Sequence, residues 1–213
     1  MTPISGLQDF ERPGAVKLSN GHILLYNNNS ITSSRGWAGT IDRSGNVREL
    51  PIENLKQSFA IKLESKKVLF YERTYQGRAW LVDEEGGLHT LEKLPLVNVL
   101  EHTQLFDGIV LLHELTGSKQ AWLLDRNGDL VSAPQFEGIA RPQALKLSKD
   151  RVLLFETASK GFKDAGRGRM WLLDEEGKVT WSTEGYVAPE VIRLGKGALI
   201  VDQGRIEYLD ILP

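Results

Sequence analysis

An Asp followed three residues later by Gly recurs along the chain, and this recurrence limits the fold more than any other feature. The copies are Asp42–Gly45, Asp83–Gly86, Asp125–Gly128 and Asp174–Gly177, with Asp210 as a fifth Asp in step. An apolar run precedes each Asp, and the turns read DRSG, DEEG, DRNG and DEEG. Gly supplies the positive φ that a bulged hairpin turn needs, and Asp can hydrogen-bond the turn backbone. A second hairpin lies upstream of each turn: 15–26, 60–71, 102–113, 144–155 and 191–201. Each has a short strand ending in Leu (Leu18, Leu63, Leu105, Leu147, Leu194), a polar turn and a nearly continuous apolar strand. Such a continuous apolar strand is buried on both faces.

One unit is therefore four antiparallel strands, repeated at a period of about 42 residues, which is the signature of a β-propeller blade. The expected fold is an all-β, five-bladed propeller of four-stranded antiparallel blades, one domain over residues 1–213. Trp80, Trp122 and Trp171 each stand three residues before the Asp, and Trp37 two residues earlier on the same strand face. Large flat rings suit the widening gap between blades, so these are expected in the core. The last unit ends soon after Asp210, before a fourth strand. Thr2 to Leu7 is expected to supply that strand and close the ring, which removes open sheet edges.

The phrases GRMWLLDEEGKVTW (168–181) and GRIEYLD (204–210) resemble the propeller repeats of quinoproteins and their cofactor-free relatives. The resemblance implies the propeller fold. Only Trp181 matches the downstream Trp of those repeats, and no quinone-binding residue carries over, so no cofactor is expected. The double glycine of kelch-like blades is replaced by Tyr71-Glu72, His113-Glu114 and Phe155-Glu156.

Composition narrows the function classes. Cysteine is absent, which excludes disulfides, thiolate metal sites and a cysteine nucleophile. A net charge of −2 gives no reason to expect nucleic acid. The N-terminus lacks a basic start and an apolar segment, and no apolar run reaches the roughly 18 to 20 residues of a membrane helix. A cytoplasmic protein without membrane contact is the expectation. Asp125, Asn127 and Asp129 alternate as in a calcium loop, but Phe136 stands at the twelfth position, so no metal site is expected.

Ligands of propellers bind where the inner strands begin. The residues that open those strands include Arg12, Glu101, Arg141, Gln143 and Glu190, and His102 replaces a residue that is small in the other units. The connection 158–168 is long, Gly- and Lys-rich, and carries Phe162. Arg12, Glu101, His102, Arg141, Gln143, Phe162 and Glu190 are therefore the candidate binding residues. The acids Glu72, Glu114, Glu156 and Asp202 face Arg78, Gln120, Arg169 and Arg205 and read as cross-strand pairs. Lys17, Lys62, Gln104, Lys146 and Arg193 form a ring on the opposite side. No catalytic motif is present: there is no G-x-S-x-G, H-E-x-x-H or P-loop. The expected function is a non-enzymatic scaffold that recognises a protein partner, of an inhibitor or immunity type. The alternatives are a lectin-like carbohydrate binder and a hydrolase using Glu101, His102 and Glu190.

Overall fold

The computed structural model describes residues 13–27, 36–53, 55–63, 66–72, 78–91, 94, 100–106, 108–115, 118–156, 168–187 and 189–210. They form five antiparallel sheets in meander order. The first holds β1 (Pro13–Lys17), β2 (Ile23–Asn27), β3 (Ala38–Ile41) and β4 (Val47–Glu49). The second holds β5 (Ser58–Lys62), β6 (Val68–Glu72), β7 (Ala79–Val82) and β8 (Leu88–Thr90). The third holds β9 (Leu100–Phe106), β10 (Ile109–Glu114), β11 (Ala121–Leu124) and β12 (Leu130–Ser132), followed by a single 3-10 turn, Pro134–Phe136. The fourth holds β13 (Pro142–Lys146), β14 (Val152–Glu156), β15 (Met170–Leu173) and β16 (Val179–Thr183). The fifth holds three strands: β17 (Glu190–Leu194), β18 (Gly197–Asp202) and β19 (Arg205–Leu209). The fold class is all-β, with five propeller blades. The closing strand expected of Thr2 to Leu7 lies outside the described residues. No helix among the described residues is long and apolar enough to cross a membrane.

The repeated Asp acts as the sequence implied. In every Asp-x-x-Gly turn its Oδ1 accepts backbone N–H groups inside the turn, from Ser44 and Asn46 at Asp42, and from Glu176 and Lys178 at Asp174. The Gly takes a left-handed φ of 79° to 94° in all four copies. The carboxylate holds the turn and Gly lets the chain reverse, which sets the register of the strands on either side.

The chain packs as two compact units, Met1–Leu100 and Glu101–Pro213. In the first, one core joins the first two blades. Leu24 and Tyr26 of β2 meet Phe70 of β6 and Trp80 of β7, and Leu50, Ile52 and Leu55 of the connecting segment close over them. In the second unit, one core joins the third and fourth blades, with Phe136 set edge-on to Trp171 at 5.4 Å and 82°. Another joins the fourth and fifth blades through Phe155, Met170, Leu172, Tyr186, Ala198 and Ile200. Trp80, Trp122 and Trp171 are all buried, as expected. Trp37 differs. It precedes β3, and Gly39 holds the register position of Trp80. The Trp37 ring lies so close over Gly39 that a Cβ there would meet it at 2.4 Å.

Candidate functional site

The second strand of each blade ends in a residue pair. The final residue is an acid in four blades: Glu72, Glu114, Glu156 and Asp202. All four are buried, and each accepts hydrogen bonds that fix the surrounding backbone. Glu72 takes the Lys56 N–H at 2.8 Å and the Arg78 Nε at 2.8 Å. Glu156 takes the N–H of Ala140 at 3.1 Å and of Arg169 at 3.0 Å, and pairs with the Arg169 guanidinium at 2.8 Å. Asp202 takes the Val187 N–H at 2.9 Å. These carboxylates tie the connection arriving from the preceding blade to the strand that follows. Arg78 and Arg169 also lie over Trp80 and Trp171, at 5.1 and 5.0 Å from the ring centres. A buried charge stays buried only when paired and hydrogen-bonded in this way. The acids belong to the framework.

The penultimate residue is where the third blade departs from its neighbours. Tyr71 stands there in β6, stacked on Phe59 at 5.7 Å and 25°, and Phe155 stands there in β14 opposite Gln143. In β10 the position holds His113, which is 1% exposed. Its Nδ1 meets no hydrogen-bond partner among the described residues. Burial, and then the charge of nearby His102, depress its pKa to about 4. Its imidazole is neutral near pH 7. His102, exposed on β9, also has a lowered pKa because its ring is partly desolvated, with the Glu101 carboxylate opposing the shift. Glu114 is held by the Ser118 hydroxyl at 2.5 Å and the Gln120 N–H at 3.4 Å. In the third blade His102 thus lies close enough to act on His113, and Glu101 on His102, where the second blade has a ring stack.

The remaining candidates are placed as follows. Thr103 of β9 donates to the Pro142 carbonyl at 3.4 Å, which sets β13 beside β9. Gln143 is exposed on β13, and Arg141 precedes that strand in a left-handed conformation with φ of 46°. Glu190 is exposed at the start of β17. Arg12 and Phe162 lie outside the described residues. Sequence reasoning missed His113. The signal was available there as a polar residue at the place of Tyr71 and Phe155. Lys17, Lys62, Lys146 and Arg193 are exposed. No group of three or more His, Asp or Glu side chains among the described residues is placed to hold a metal ion.

These features define the class, an all-β protein of propeller blades. No known family's sequence profile matches the chain, and no curated protein does. Among solved structures it is similar to virginiamycin B lyase from Staphylococcus aureus, with 13% identity, 93% of this chain and 80% of that chain covered, and a TM-score of 0.44. A streptogramin B lyase is similar at 16% identity, with 94% and 73% coverage and a TM-score of 0.44. The β-propeller domain of the Trilobed protease from Pyrococcus furiosus is similar at 11% identity, with 91% and 70% coverage and a TM-score of 0.44. The expectation of a non-enzymatic binding scaffold is corrected and withdrawn: the first two neighbours are lyases by name. At this identity and TM-score the likeness assigns no activity and no substrate to this chain.

Proposed function

We propose that the chain binds a small polar molecule at His113 of the third blade, with Glu101 and His102 of the same blade contributing, and that the neutral His113 imidazole hydrogen-bonds it. One observation carries this reading: a buried histidine whose Nδ1 has no partner among the described residues, with a second histidine near it. An unpaired buried polar atom costs about 1–3 kcal/mol, which a bound ligand recovers by supplying the missing hydrogen bond. With a pKa of about 4 the imidazole stays neutral near pH 7, so it meets a ligand through a hydrogen bond and not as a cation. Gln143, on the strand that Thr103 joins to β9, and Arg141, just before that strand, supply donors suited to a carboxylate or carbonyl on the ligand.

The test is His113→Phe, which restores the residue type of the neighbouring blades. A library of small carboxylates, amides and amino acids is screened by thermal shift against wild type and variant. The expected result is a ligand that stabilises the wild type and not the variant, while the unliganded variant melts higher. A ligand held equally well by both would sink the proposal.

A further inference from the structure

Between the first and second blades, and between the third and fourth, the gap is filled by a repeated pair of apolar groups. One is a Trp three residues before the Asp of the third strand, Trp80 in β7 and Trp171 in β15. The other is the residue just before the clamped backbone N–H, Leu55 before Lys56 and Ile139 before Ala140. Trp80 and Leu55 share one core, and Trp171 and Ile139 share another. In the fifth blade both are replaced by hydrogen-bonding groups. Glu207 stands at the Trp position, three before Asp210, and Tyr186 stands before the clamped Val187. The Tyr186 hydroxyl donates to Glu207 Oε2 at 2.5 Å. Burial and that bond push the Tyr186 pKa up to about 12, so the phenol keeps its proton. Arg205 holds the place of Arg78 and Arg169, but it ion-pairs with Glu207 and lies 5.9 Å from the Tyr186 ring centre.

Losing the indole leaves space. A cleft of about 320 Å³ opens there, lined by Trp181, Tyr186, Ile200, Glu207, Tyr208 and Leu209. That volume lies at the small end of ligand sites, which are mostly apolar with a few placed polar groups. Each oxygen of the Glu207 carboxylate accepts one bond from Tyr186 or Arg205, and a carboxylate has further lone pairs. We infer that this cleft binds a flat bicyclic heteroaromatic molecule with an N–H donor, which takes the place of the missing indole and donates to Glu207. Trp181 and Tyr208 supply ring faces, and Ile200 and Leu209 the apolar wall. This site is in a different blade from the histidine site and stands independently of it.

Indole itself is the probe, with benzofuran as the isostere that lacks the N–H. Both are titrated into the isotope-labelled chain and followed by amide and indole NMR shifts. The expected result is saturable binding of indole that perturbs Trp181, Tyr186 and Leu209, with benzofuran weaker by about tenfold or more, the worth of one hydrogen bond to a charged acceptor. Glu207→Trp should fill the cleft, raise the melting temperature and abolish the shifts. Tyr208→Ala removes an exposed wall without touching the core and should weaken indole severalfold, which keeps the test decisive if Glu207→Trp does not fold. No saturable shift up to about 10 mM indole overturns the inference. So does equal binding of benzofuran, or indole binding that survives both substitutions.

Discussion

At the scale of residues, two kinds of polar group are buried in this protein, and they behave in opposite ways. Glu72, Glu156 and Asp202 are surrounded by donors and hold the framework. His113 is buried with a nitrogen atom left open among the described residues. The difference has a consequence for pH. The His113 pKa is about 6.5 in an unfolded chain and about 4 in the fold. Between those values the unfolded state binds more protons, so stability rises with pH across this window. The contribution is full above about pH 6.5, is lost as pH falls towards 4, and changes no further below that. Its size is about 3 kcal/mol at most. Urea unfolding at pH 7 and at pH 4.5 should therefore show a larger loss for wild type than for His113→Phe. An equal loss in both would mean that His113 does not carry this titration. The residues that define both candidate sites could be read only in part from sequence. Glu101 and His102 were visible because inner-strand openings attract ligands. His113 and Glu207 were legible only as departures from a register, and that comparison needs the strand ends placed to the residue.

At the scale of elements, strand order and turn chemistry were legible because each repeat carries the same instruction. An Asp that caps the turn and a Gly with positive φ fix a hairpin locally, without help from the rest of the chain. Contacts between elements were less legible. Gly39 at the place of Trp80, covered by the Trp37 ring, could not be inferred from alternation alone. The 3-10 turn Pro134–Phe136 that delivers Phe136 to Trp171 also depends on a tertiary contact. Two glycines separate these effects. Gly45 has a φ of 85°, and a Cβ added there would meet nothing within 4 Å, so Gly45→Ala faces only the backbone preference. That substitution should cost about 1 kcal/mol. Gly168 has a φ of 60°, and a Cβ there would lie 1.4 Å from the Tyr186 carbonyl oxygen, against backbone that cannot step aside. The Gly168 carbonyl also accepts the Tyr186 N–H at 3.2 Å. Gly168→Ala should thus be far more damaging. Chemical denaturation of both variants tests this, and equal losses would show that the Gly168 contact does not constrain the fold.

At the scale of the whole molecule, stability is distributed over separate cores. Among the described residues, the core around Trp80 draws only on the first two blades, and the core around Trp171 only on the third and fourth. They share no described residue, and they belong to the two compact units. In repeat proteins each unit is stabilised mainly by its immediate neighbours, so a defect should spread a short distance. Truncating a buried Trp to Ala costs about 3–5 kcal/mol. Trp80→Ala should accordingly speed amide exchange in β2, β6 and β7, and Trp171→Ala in β10, β14 and β15. Local opening governs exchange when it needs less free energy than global unfolding, so the measurement belongs under strongly native conditions. Hydrogen exchange followed by mass spectrometry resolves the blades as separate peptides. The expected pattern is two non-overlapping sets of accelerated peptides, with β18 and β19 protected as in the parent when Trp80 is truncated. If Trp80→Ala speeds β18 and β19 as much as β6 and β7, the chain opens as one cooperative body, and the single-domain expectation over residues 1–213 is favoured over two separable units.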